Sequence, residues 1–74
     1  DRFNEALMIG LRTKWGVSKN ELFRNIAPDE NWFKIVKSYE EQNLLIETTE
    51  NIVLTESGRL LADAIASELF IIDK

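Results

Sequence analysis

The sequence predicts a mostly helical domain carrying one small β-hairpin. Three observations lead there. Apolar residues recur at helical spacing before residue 43 and again after residue 57. Two short apolar, β-branched runs lie between those helical stretches. Ser, Asp, Asn and Gly stand singly where helices should start or stop.

The first helix is expected over residues 3–15. Phe3, Leu7 and Leu11 repeat every fourth position and Trp15 completes the row. Gly16 follows as a left-handed stop. Ser18 opens the second helix, with Glu21 at capping-box spacing and Val17 and Leu22 placed as a hydrophobic staple. Leu22, Phe23 and Ile26 give that helix its apolar face, and it should end before Pro28. Asp29 caps the third helix, where Trp32, Ile35, Val36 and Tyr39 form one stripe. Asn43 is its left-handed stop.

Residues 44–48 and 51–55 are the expected strands of a hairpin with Thr49 and Glu50 at its tip. Alternation would set Leu44 and Ile46 on one face, opposite Ile52 and Leu54. The last helix is expected over residues 57–70, with Leu61, Ile65, Leu69 and Ile72 on one side and Ala64 admitting a close neighbour. Three helices, a two-stranded wing and a C-terminal helix make a winged-helix-like plan. The chain of 74 residues is expected to be a single domain, 1–74. It opens at Asp1 and its sole methionine is Met8, so it is expected to be a piece of a longer parent.

Composition narrows the chemistry. With no cysteine and no histidine, the chain has no thiolate or imidazole for a metal, a thiol nucleophile or a Ser-His triad. No catalytic, cofactor-binding or metal-binding residue is assigned within it. Met8 and Tyr39 both have simple packing roles. Many winged helices place the third helix in the DNA major groove. Here the net charge is −4, and residues 29–41 hold Asp29, Glu30, Glu40 and Glu41 against Lys34 and Lys37 alone. A negative reading helix opposes phosphate neutralisation, so no nucleic-acid partner is expected. A transcription-regulator domain stays open as the alternative, since Arg12, Lys14 and Lys19 could still form a basic patch.

The first helix carries apolar residues on two sides. Phe3, Ala6, Leu7, Gly10, Leu11 and Trp15 span one arc, Met8 lies at its border, and Ile9 falls beside Glu5 and Arg12. Glycine within a helix costs about 1 kcal/mol against alanine, which a close approach by a helix or ligand would offset. Met8, Ile9, Gly10 and Arg12 are therefore the candidate docking or ligand-facing residues. Arg12 suits bidentate pairing with a carboxylate, whereas the plainer reading pairs it with Glu5 or leaves it solvated.

Residues 5–17, EALMIGLRTKWGV, and 54–69, LTESGRLLADAIASEL, carry a resemblance. Leu7, Met8, Ile9, Gly10, Leu11, Arg12 and Thr13, then Gly16 and Val17, match one pattern; Leu54, Thr55, Gly58, Asp63 and Ile65 match a second. Together they resemble the C-terminal domain of the oxygen-independent coproporphyrinogen III oxidase family, including its haem-chaperone branch. The resemblance implies a cytoplasmic radical S-adenosylmethionine parent in porphyrin biosynthesis. Such a parent has an upstream catalytic barrel whose Cys-x3-Cys-x2-Cys motif holds a 4Fe-4S cluster and S-adenosylmethionine. It implies an oxidoreductase activity for the parent and an accessory role here, packing on the barrel and helping to shape the tetrapyrrole site.

Overall fold

A computed structural model describes residues 2–24 and 26–70. The elements in chain order are α1 (Arg2–Leu11), β1 (Val17–Ser18), α2 (Lys19–Leu22), α3 (Glu30–Glu41), β2 (Leu45–Glu47), β3 (Asn51–Leu54), α4 (Glu56–Arg59) and α5 (Ala62–Leu69). The expected mostly helical domain with a small β component is what forms. Its sheet has three strands rather than two, antiparallel in the order β1-β3-β2. Val17 pairs with Ile52 and Ser18 with Asn51, so two residues ahead of α2 complete the sheet.

The helix α1 ends four residues earlier than expected. The Thr13 hydroxyl donates to the Gly10 carbonyl at 2.9 Å and accepts from the Gly16 amide at 3.0 Å. A threonine that bonds nearby backbone in this way competes with the helical ladder. The row therefore stops at Leu11, and Trp15 is 70% exposed instead of packing below it. Gly16 does take the left-handed form, with φ +80°. It turns the chain into β1 so closely that a Cβ there would sit 2.2 Å from the Ile52 carbonyl oxygen.

Both ends of α3 form as the sequence implies. Asp29 accepts from the Trp32 amide at 3.0 Å. At the other end Asn43 has φ 63°. The Leu44 amide donates to the Tyr39 carbonyl and the Asn43 amide to Glu40, each at 3.0 Å, which is a Schellman closure. That closure consumes Leu44, and so it corrects the strand parity. β2 begins at Leu45, which pairs with Leu54 and is buried, while Ile46 pairs with Val53 and is half exposed. A one-residue slip moves every side chain to the other face.

The last helix is likewise broken in two. Thr55 caps α4 by accepting from the Gly58 amide at 3.0 Å, and its hydroxyl donates to the Asn43 carbonyl at 2.7 Å. α5 then starts at Ala62, so Leu61 is exposed rather than stacked above Ile65. Ile65 and Leu69 are buried as expected; Ala64 is exposed, and Ala66 is the small core residue instead. Ile72 lies outside the described residues. Likewise α2 stops at Leu22, well short of Pro28.

The core joins Phe3, Leu7 and Leu11 of α1 to Leu22, Trp32, Val36, Leu45, Ile52, Leu54, Ile65 and Leu69. Gly58 sits against it with no room for a side chain: a Cβ would lie 1.8 Å from the Leu44 carbonyl oxygen. Gly58→Ala should therefore destabilise the domain by about 1–3 kcal/mol through overpacking. Denaturant titration would read this as a lower midpoint at unchanged slope; an unchanged midpoint would contradict the packing.

Candidate functional site

The four candidate residues of α1 do not behave alike. Met8 is half-buried and packs against the core. Ile9 is 66% exposed, pointing away from the Phe3, Leu7 and Leu11 row as the helical spacing requires. Gly10 faces inward, where a Cβ would meet the Cβ of Val17 at 2.5 Å. The close approach at this glycine comes from β1 of the same domain, so no external helix or ligand is needed to explain it. Arg12 bonds through Nη2 to Asp63 Oδ1 at 2.8 Å and not to Glu5. Both side chains of that pair are well exposed, so the interaction contributes little to stability.

Around these residues the surface has two shallow depressions. One, of about 300 Å³, is lined by Asn4, Glu5, Met8, Ile9 and Phe70. The other, of about 410 Å³, runs along the junction of α4 and α5 and takes in Arg12, Arg59, Leu60, Leu61 and Asp63. The sequence reading missed the second because it assumed an unbroken last helix. Its only hint was the pair Leu60-Leu61, of which one helix face can bury one member.

The three bases that could form a patch, Arg12, Lys14 and Lys19, each meet another side chain of the domain. Arg12 is paired with Asp63, Lys19 with Glu47 at 2.7 Å, and Lys14 lies over the Trp15 ring at 5.5 Å from its centroid. On α3, Lys34 and Lys37 share their face with Glu30 and Glu41. Glu40 accepts from the Glu47 amide at 3.4 Å and so guards the outer edge of β2. Among the described residues no cluster of carboxylates is arranged to hold a metal, and no helix is long and apolar enough to cross a membrane.

Against this geometry, the chain matches the family model described as the HemN C-terminal domain over residues 1–61. It belongs to the HemN C-terminal domain family. The match runs from α1 to the end of the α4 turn and takes in Leu7–Thr13 and the Leu54, Thr55 and Gly58 positions. No curated protein and no solved structure matches the chain. In this HemN C-terminal domain the matched residues hold backbone geometry as much as surface. Thr13 unwinds α1, Gly10 and Gly58 admit neighbours, and Thr55 caps α4.

Tyr39, the one phenol of the chain, donates its hydroxyl to a Glu68 carboxylate oxygen. That hydrogen bond, then partial burial, then the charge of Glu68, raise Tyr39 from its ordinary value of 10.0 to about 12. Folding thus favours the protonated phenol. Its contribution to stability is complete below pH 10 and is lost as pH climbs toward about 12, where the folded chain also releases the proton. Glu68→Gln should bring the phenol back toward pH 10, as followed by ultraviolet titration. An unshifted titration in that variant would contradict the assigned cause.

Proposed function

We infer that this chain is the accessory domain of a radical S-adenosylmethionine protein of porphyrin biosynthesis, of the coproporphyrinogen III oxidase or haem-chaperone kind. The observation that carries the reading is the family match over residues 1–61, together with the Leu7–Thr13 pattern inside it. No residue here fits an iron–sulfur cluster, which needs thiolates, so cluster and cofactor would belong to a preceding barrel. The role of this domain is then to pack on that barrel and close the tetrapyrrole site. The exposed Ile9, with Met8 beside it, gives α1 an apolar outer side suited to such packing. Arg12, paired with Asp63 on the exposed surface beside them, supplies a charge at the rim of that contact.

The test is anaerobic preparation of the full-length protein, with iron and sulfide analysis and assay for reductive cleavage of S-adenosylmethionine to deoxyadenosine. The reading expects a Cys-x3-Cys-x2-Cys motif upstream, a bound cluster and cleavage of the cofactor. A sensor domain upstream, with salt-sensitive and sequence-selective binding of duplex DNA, would overturn it in favour of a regulator.

A further inference from the structure

α5 runs antiparallel to α1. Its start lies beside the end of α1, where Asp63 meets Arg12 at 2.8 Å. Its end lies beside the first half of α1, where Phe70 lines a depression with Asn4, Glu5, Met8 and Ile9. At Phe70 the backbone leaves helical geometry, with φ −62° and ψ 139°. The chain therefore departs from α5 extended, at the margin of the side of α1 that carries the exposed Ile9. The next residues in the sequence are Ile71 and Ile72, followed by Asp73 and Lys74. Two extended residues span about 7 Å, enough to cross a depression of this size.

Two depressions border Phe70, and the charges choose between them. The second is lined by Ile26, Trp32 and Ile35 and also holds Asp29 and Glu68. Both of those carboxylates are committed, Asp29 to the Trp32 amide and Glu68 to the Tyr39 hydroxyl. On the α1 side, Arg2 and Glu5 are exposed, and neither has an ion pair among the described residues. Three positions apart, they share one side of the helix. Asp73 and Lys74 carry the opposite signs in the order that complements them.

We propose that Ile71 and Ile72 fold back as an apolar strap over Met8 and Ile9, with Asp73 set against Arg2 and Lys74 against Glu5. The driving force is removal of Ile9 and the two strap isoleucines from water. The outer side of α1 is then a composite surface, made of the helix and of the segment that follows α5. In the reading above, a barrel would meet helix and strap together. The strap needs only residues of this chain and does not depend on that reading.

Met8 is the one methionine of the sequence, so a 13C-labelled ε-methyl group gives a single resonance. In the chain Asp1–Lys74, nuclear Overhauser cross-peaks should join that methyl to the δ1 methyl of Ile71 or Ile72. Substituting both isoleucines, Ile71→Asp with Ile72→Asp, should abolish those cross-peaks and shift the Met8 signal while leaving the buried Ile52 methyl in place. Absence of the cross-peaks in the unsubstituted chain overturns the proposal. Cross-peaks from Ile71 and Ile72 to Ile26 or Ile35 also overturn it, since they would put the segment in the other depression. Cross-peaks seen only between differently labelled copies would make the occupant a second chain and overturn it equally. None of these outcomes touches the radical-enzyme reading, which is decided by the upstream cysteine motif and cofactor cleavage.

Discussion

The position of Trp32 constrains almost every other element. Its indole is buried, and its Nε1 donates to the Leu69 carbonyl at 2.8 Å, fixing the end of α5 to the first turn of α3. Edge-on contacts to Phe3 at 6.0 Å and Phe23 at 5.7 Å bring in α1 and the end of α2. One side chain thus sets the mutual placement of four helices in a chain that has no disulfide to do so. Small domains bury a modest share of their surface, so a large aromatic with a satisfied polar handle contributes disproportionately.

Where the sequence carried a local instruction, the fold could be read from it. Asp29 and Asn43 mark the ends of α3 because each acts on backbone groups only a few residues away. The Phe3, Leu7 and Leu11 row was legible for the same reason. What was not legible depended on competition or on distant partners. Thr13 withdraws a carbonyl from the helical ladder, which a count of apolar spacing cannot register. The strand parity turned on Leu44 being taken up by the end of α3. The pairing of β1 with β3 and the break at Leu60-Leu61 follow from contacts made across the fold. Of the candidate site residues, Ile9 was placed correctly outside the core. Gly10 lies on the inward arc as its spacing required, but the neighbour that approaches it, Val17, was not legible, because the turn at Gly16 brings it up.

These corrections sharpen the functional picture. Within the stretch matched to the HemN C-terminal domain, the residues divide between two tasks. Phe3, Leu7, Gly10, Leu11, Thr55 and Gly58 build the fold, and Ile9 with the α4–α5 elbow faces outward. The chain carries a net charge of −4, and Arg12, Lys14 and Lys19 each meet another side chain of the domain. The placement of α1 and α5 depends on the core rather than on the exposed Arg12–Asp63 pair.

That dependence can be measured with the two tryptophans, since Trp15 is exposed and Trp32 is buried. Equilibrium unfolding of Trp15→Phe and Trp32→Phe, followed by fluorescence and far-ultraviolet circular dichroism, separates them. The account predicts that Trp15→Phe unfolds near the wild-type midpoint, with Trp32 emission shifting in the same single transition as helix loss. Trp32→Phe should lose about 2–4 kcal/mol, from the missing ring volume and the Leu69 carbonyl left without its donor. A Trp32→Phe variant that unfolds at the wild-type midpoint would contradict it.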